Sequence, residues 1–248
     1  MTKPLLAIDT STENCSAAVY ANEQLYQCVA ESPREHSQRL LPFVDDVLQQ
    51  AGIELSQLDG LVVGCGPGSF TGVRIGVSVG QGLAFSGNLP VYPIPSLQAL
   101  AQKCIRLNAA ASGTDAQQPP ELILAAIDAR MNEVYYAVYE NVNGIAVAIT
   151  EPAVTRPEEN PFKAALAALN ISDSVRVTAA GTGWDNYSDL LAKDLPVTVN
   201  LSHSCRLPEA QDMLTLAQAG QSKAVSAEQL EPLYVRNEVT WKKLPGRN

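Results

Sequence analysis

The sequence predicts an α/β protein built by duplication, with two lobes that each open on an Ala-Ile-Asp strand. Three observations predict it. At a constant offset of 119 residues, Leu5, Ala7, Ile8, Asp9, Ala18, Val19 and Tyr20 fall on Leu124, Ala126, Ile127, Asp128, Ala137, Val138 and Tyr139, seven identities in sixteen ungapped positions. At a nearby offset, Gly64-Cys65-Gly66 falls on Gly181-Thr182-Gly183, each after a strand pattern and before a helical one. Both halves read in the same order, a strand, a turn and a returning strand followed by alternating helix and strand patterns.

The elements follow from local pattern. Leu5 to Asp9 is a short apolar run ending in the polar cluster Asp9-Thr10-Ser11-Thr12. Ser16 to Tyr20 and Leu25 to Val29 flank Asn22-Glu23 as a hairpin. Leu40, Leu41, Val44, Val47, Leu48 and Ala51 recur at helical spacing from Ser37 onward, with Gly52 as the stop. Pro42 inside that pattern predicts a helix that begins near it or kinks there. Leu61 to Cys65 is a strand, followed by a glycine-rich turn and a second helix; Val91 to Ile94 and a helix from Ser96 to about Leu107 close the first unit. Asn108 to Pro120, small, polar and aperiodic, is the expected linker. Leu122 to Asp128 restarts the theme, with strands at Val134 to Tyr139 and Ile145 to Ile149 around Asn143-Gly144. Helices are expected over about Pro161 to Leu169, after Gly183 and over Glu209 to Ala219, with a strand at Val175 to Ala180.

Composition removes several function classes. The chain has 248 residues, 46% hydrophobic and 17% charged, which is ordinary for a globular protein. No apolar run reaches the roughly 20 residues that span a bilayer, and no cleavage site follows a basic start, so a cytoplasmic protein without membrane contact is expected. Cys15, Cys28, Cys65, Cys104 and Cys205 are odd in number and show no C-x-x-C spacing, which fits reduced, buried thiols. A net charge of −9 argues against unaided nucleic-acid binding. Only the tail from Tyr234 to Asn248 leans basic, through Arg236, Lys242, Lys243 and Arg247. His36 and His203 are the two histidines, too far apart to write a metal motif.

The stretch Gly64 to Arg74 is the most distinctive. It is no Walker A loop, because Val73-Arg74 follows Gly72, and no dinucleotide fingerprint, because Thr71 stands where the third glycine belongs. Ser69 or Thr71 can cap the following helix, and an anion at that N-terminus near Arg74 competes with a plain structural turn. Gly72, Gly76, Gly80 and Ala84 then lie four residues apart on one ridge. Each interior glycine costs roughly 1 kcal/mol against alanine, so close packing must offset several kcal/mol. Either the chain's own sheet or a second subunit meets that ridge. Two such units facing a cleft match the architecture of the actin, hexokinase and Hsp70 class, where the turns after the first strands cradle phosphates. By that analogy Asp9, Ser11, Thr12, Ser69, Arg74, Asp128, Gly181 and Gly183 are candidate nucleotide or anion contacts.

Four blocks carry a family resemblance: Leu6-Ala7-Ile8-Asp9-Thr10-Ser11, Gly66 to Gly76, Ala126 to Arg130 with Glu133-Val134-Tyr135, and Pro232-Leu233-Tyr234-Val235-Arg236. Together they closely resemble the TsaB (YeaZ) family over essentially the whole chain, and Trp241-Lys242-Lys243 is similar to its enterobacterial and vibrio-type branch. The resemblance implies a duplicated actin-like ATPase (ASKHA, ribonuclease H-like) fold with a mixed five-stranded sheet in each lobe. The implied division is lobe I over 1–107 with a returning helix 208–220, lobe II over 108–207, and a C-terminal segment and tail over 221–248. The implied function is that of a non-catalytic subunit of the machinery forming N6-threonylcarbamoyladenosine at position 37 of ANN-decoding tRNAs. Such subunits pair with the catalytic paralogue TsaD through first-lobe helices, work with the ATPase TsaE and self-associate as a homodimer when alone; tRNA is reached only through the complex. The expected interface residues are Arg39, Leu40, Phe43, Val47, Gly72, Ile75, Gly76, Val79 and Gly80, and bulk at Gly76 or Gly80 is expected to abolish pairing while leaving the monomer folded. No intrinsic cofactor or metal is implied; ATP or ADP with Mg belongs at the interface with partners. The H-x-x-x-H metal pair of TsaD has no counterpart in Pro95-Ser96-Leu97-Gln98-Ala99-Leu100. The alternative is a stand-alone ATP-dependent hydrolase using Asp9, Asp128 and the Gly181 turn, or a glycoprotease-like peptidase acting on TsaD.

Overall fold

The computed structural model describes residues 4–112, 120–169, 171 and 175–235. Lobe I holds β1 (Leu5–Asp9), β2 (Asn14–Ala21), β3 (Gln24–Glu31), α1 (His36–Ala51), β4 (Gly60–Gly66), α2 (Phe70–Gly87) and β5 (Val91–Pro95), and α3 (Ser96–Ser112) follows. β6 (Glu121–Arg130), β7 (Glu133–Val142), β8 (Ile145–Ala148), β9 (Ala153–Thr155), α4 (Pro161–Ala168), β10 (Arg176–Ala180), α5 (Thr182–Leu191) and β11 (Asn200–Leu201) build lobe II before α6 (Ala210–Gln218). The sheets run β3-β2-β1-β4-β5 and β8-β7-β6-β10-β11, the same order twice, with β9 added to the free edge of β7. In each, the first three strands are antiparallel and the last two parallel to the first. The duplicated ASKHA-type fold is therefore present, with β9 making the second sheet six-stranded where five strands were expected.

Three apolar layers hold it. Leu40, Val44, Val47, Leu48 and Ala51 of α1 and Val73, Val77 and Ala84 of α2 cover one face of the first sheet. Phe162 of α4 and Trp184 of α5, stacked with centroids 5.4 Å apart, cover the outer face of the second, and Trp184 Nε1 donates to Leu124 O at 2.9 Å. Between the sheets lie α3 and α6, exchanged: α3 packs on β6, β7 and β8, and α6 on β1, β2 and β4. Their contact is locked by charge. Arg106 Nε and Nη2 donate to the two oxygens of fully buried Asp212 at 2.7 and 2.9 Å, and Lys103 Nζ meets Glu209 at 2.7 Å.

Three expectations change. α1 begins at His36, ahead of Pro42, and runs through it; Pro42 and Gln38 are both exposed, so the carbonyl that loses its partner faces water. The linker expected over 108–120 is helical to Ser112, because Asn108-Ala-Ala-Ala-Ser112 favours continuation of α3; residues 113–119 lie outside the described residues, as does the basic tail beyond Val235. The repeat holds in topology but not at one offset. Ala18 and Ala137 both face the interlobe layer, and Val19 and Val138 both face outward, yet Ala7 and Ala126 lie on opposite faces, as do Ile8 and Ile127. Pairing agrees: Ile8–Ala17 superposes in register on Ala126–Tyr136, and Ala7–Val62 on Ala125–Ala180. The first and fourth strands are equivalent at an offset of 118, the second at 119. The extra residue of lobe II sits in the bulge between Asp128 and Arg130. A one-residue slip reverses facing, so Asp9 corresponds to Ile127, not to Asp128.

Arg106→Ala is expected to strand Asp212 as a buried, unpaired carboxylate. The expected cost is about 3 kcal/mol, read as a lower urea midpoint with unchanged slope; an unaltered midpoint refutes this account of the α3–α6 contact.

Candidate functional site

The glycine-rich turn closes on the β1–β2 turn. Ser69 caps α2, its Oγ accepting from Gly72 N at 3.3 Å, while Ser69 N donates to Ser11 O at 2.7 Å and Thr10 Oγ1 donates to Gly72 O at 2.7 Å. A β-carbon on Gly68 would meet Ser11 O at 2.1 Å, and one on Gly72 would meet Thr10 O at 2.1 Å. Only glycine permits this approach. The main chains of the two turns therefore lie in direct contact at Gly68 and Gly72.

Asp9 lies beneath, fully buried. Its Oδ1 accepts from Ser11 N at 3.1 Å and its Oδ2 from Ser11 Oγ at 3.2 Å. A β-carbon on Gly64 would lie 2.0 Å from Asp9 Oδ1, so that glycine makes room for the carboxylate. Burial raises the Asp9 carboxyl from 3.8 to about 6, against the lowering pull of the Ser11 donors. Thr12 is also buried; its Oγ1 accepts from Asn14 N at 3.4 Å and its carbonyl from His36 Nε2 at 2.9 Å. Arg74 is committed elsewhere. Its guanidinium carbon lies 3.4 Å from the Phe70 ring centroid and 5.1 Å from that of Tyr234, and Nη1 donates to Phe70 O at 2.9 Å.

Lobe II presents a different site. Asp128 is half-buried: Oδ1 accepts from Arg130 N at 2.7 Å, Oδ2 from Asn186 Nδ2 at 3.0 Å, and Asp128 N donates to Thr182 Oγ1 at 3.1 Å. Gly181 (φ 108°) would place a β-carbon 2.1 Å from Ala126 O, and Gly183 one 2.9 Å from Ala126 Cβ. Arg130, Met131 and Asn132 are consecutively left-handed, with φ of 62°, 55° and 58°, and Arg130 reaches Glu13 of lobe I at 3.2 Å. No three His, Cys, Asp or Glu side chains converge among the described residues. The eight candidate contacts therefore divide between two turns, with Asp9, Ser11 and Thr12 covered and Arg74 occupied.

The glycine ridge faces inward. Gly76 would set a β-carbon 2.8 Å from Thr10 Oγ1, and Gly80 one 2.8 Å from Val63 Cγ2. Leu40, Val47, Gly72, Gly76 and Gly80 are all buried within the chain; Phe43, Ile75 and Val79 are half-buried and Arg39 is exposed, paired with Glu35 at 2.6 Å. Bulk at Gly76 or Gly80 would thus disturb the monomer, contrary to the sequence expectation. Sequence reasoning passed over Gly68, whose clash is as severe as that of Gly72, and the partnership of Tyr234 with Arg74. The spacing Phe70–Arg74 was legible as an i, i+4 pair; Tyr234 was not, being far along the chain.

Among known proteins, residues 29–243 match the family model described as TsaD, tRNA N6-adenosine threonylcarbamoyltransferase. The tRNA threonylcarbamoyladenosine biosynthesis protein TsaB of Haemophilus influenzae is 42% identical, covering 98% of both chains, and that of Escherichia coli K12 is 40% identical over 98% of this chain and 99% of its own. The solved structure of YeaZ from Pseudomonas aeruginosa superposes with a TM-score of 0.77 at 36% identity, covering 94% of this chain and all of that one.

Because the folded state holds a proton on Asp9 that the unfolded chain releases, this group's contribution to stability is complete below pH ~3.8 and is lost as pH rises through about 6. The difference corresponds to roughly 3 kcal/mol at most. Asp9→Asn, which keeps the Ser11 contacts, is expected to match the parent near pH 4 and exceed it at pH 7 in urea unfolding. Equal stability at both pH values refutes a raised carboxyl.

Proposed function

The chain belongs to the TsaB family of tRNA threonylcarbamoyladenosine biosynthesis proteins, and from that membership we propose that it serves as a non-catalytic partner subunit which docks TsaD through the outward faces of α1 and α2 and works with TsaE. The observation that carries this reading is the character of α2. Its inward face is satisfied by Gly72, Val73, Gly76, Val77, Gly80 and Ala84. Its remaining surface carries half-buried Ile75, Val79 and Leu83 and exposed Phe70 and Phe85, with Arg74 as the helix's one charged residue. Exposed apolar surface marks an interaction site. α1 adds exposed Leu41 and half-buried Phe43. Leu40 and Val47 support this surface from below, and Arg39 stands among its exposed residues.

The closed turn over Asp9 supports the non-catalytic reading, since the Ser69 amide is already engaged by Ser11 O and Asp9 lies buried beneath. Any ATP or ADP with Mg would bind where a partner completes a site. The homodimer would use the same apolar surface when partners are absent. With a net charge of −9 the chain would meet tRNA only through the complex, in the cytoplasm.

Ile75→Arg with Val79→Arg is expected to weaken co-purification with TsaD by at least about tenfold with circular dichroism unchanged; undiminished pairing overturns the interface. Incubating the isolated chain with Mg-ATP is expected to give no turnover. Turnover that disappears in Asp9→Ala would establish the hydrolase reading instead.

A further inference from the structure

Resting on the reading that TsaD docks on α1 and α2, we infer that Arg74 is the charged anchor of that surface and recognises a carboxylate, an Asp or Glu side chain set in an apolar patch of the partner. Arg39, Arg106, Arg130 and Arg206 each meet a carboxylate of their own chain, at 2.6 to 3.2 Å. Among the described residues Arg74 has no such counter-ion. Its Nη1 donates to Phe70 O at 2.9 Å, and the guanidinium's other N–H groups find no acceptor among the described residues. A cation this near the start of a helix gains nothing from the helix dipole, which favours anions there.

The fold nevertheless holds this side chain in place from two directions. Phe70 engages it from α2, with the ring centroid 3.4 Å from the guanidinium carbon, and Tyr234 from the far end of the chain at 5.1 Å. Residues 230–234 run back along α2 to deliver that tyrosine: Gln81 Nε2 donates to Leu230 O at 2.9 Å, and Leu233 N donates to Cys65 O at 2.8 Å. Stacking on aromatic rings restrains a planar guanidinium and leaves it able to donate in its own plane. The surroundings are apolar, with Phe70 72% and Tyr234 59% exposed and Ile75 half-buried. A partner that covers these groups also takes Arg74 out of water, and a guanidinium buried without a counter-ion is strongly unfavourable. The partner therefore has to bring the missing charge. A carboxylate meets the need, because it accepts two parallel N–H bonds from one guanidinium. The same demand gives selectivity: apolar surface alone accepts many partners, whereas one lacking the carboxylate strands the arginine.

The test is the dissociation constant of the full chain with TsaD, measured by calorimetry. Arg74→Gln, with circular dichroism unchanged, is expected to weaken binding by at least about tenfold, and Arg74→Lys, which keeps charge without the paired donors, by less. Surface Asp→Arg and Glu→Arg replacements on TsaD are then screened one at a time. One of them is expected to weaken binding to the unaltered chain and to strengthen binding to Arg74→Glu, each by about tenfold. Arg74→Gln binding as tightly as the parent overturns the anchor; if Ile75→Arg with Val79→Arg still abolishes pairing, the docking reading survives that failure, and if it does not, both fall. A screen in which no replacement weakens the unaltered chain overturns the carboxylate, and this arm decides even if Arg74→Gln fails to fold. Mg-ATP that displaces TsaD from the parent but not from Arg74→Gln also overturns it, assigning the arginine to phosphate.

Discussion

The structure depends on a main-chain approach that leaves no room for a β-carbon. Where Gly68 and Gly72 meet the carbonyls of Ser11 and Thr10, the first turn of α2 rests directly on the end of β1. That contact fixes α2 on the first sheet and carries Gly76 and Gly80 down against Thr10 and Val63. It buries Asp9, and it leaves Ile75 and Val79 half-buried at the margin of the core. A glycine-rich turn at the start of a helix is commonly a cradle for phosphate; here the same flexibility serves closure. The helix gives up propensity at Gly72, Gly76 and Gly80 and is held by packing there instead.

Much of this was legible in the sequence, and the misses have physical causes. Element order followed from periodicity, and the glycine ridge from its four-residue spacing. The direction of the ridge did not, because glycine spacing reports close approach without saying which neighbour approaches. The internal repeat was visible through identities, yet its register was not. Aligned letters cannot reveal a bulge, and the bulge between Asp128 and Arg130 moves Asp128 out of step with Asp9. Two aspartates that look like a matched pair therefore occupy unlike places, one sealed and protonatable, one half-open and bound to main chain and Asn186. β9 and β11, of three and two residues, are too short to leave a pattern.

The two lobes are also unequal in what their outer helices offer. α4 and α5 bury their large side chains in the stack of Phe162 and Trp184. α1 and α2 bury theirs too, but retain apolar residues on the other side. The duplicated unit thus kept its architecture in both copies, while among the described residues the outer helices of the first leave Leu41, Phe70 and Phe85 exposed.

The exchange of α3 and α6 has a consequence for synthesis. α6 supplies the inner cover of the first sheet, but it is made after both sheets, and Ala210 N is held by Ser16 Oγ at 3.0 Å across most of the chain. As the chain emerges from the ribosome, the inner face of β1, β2 and β4 must wait uncovered until residue 218 has been added. The first lobe is not a complete folding unit before then. Such long-range closure slows folding and exposes apolar strands on the way, so a nascent chain stalled before α6 presents a sheet with one bare face.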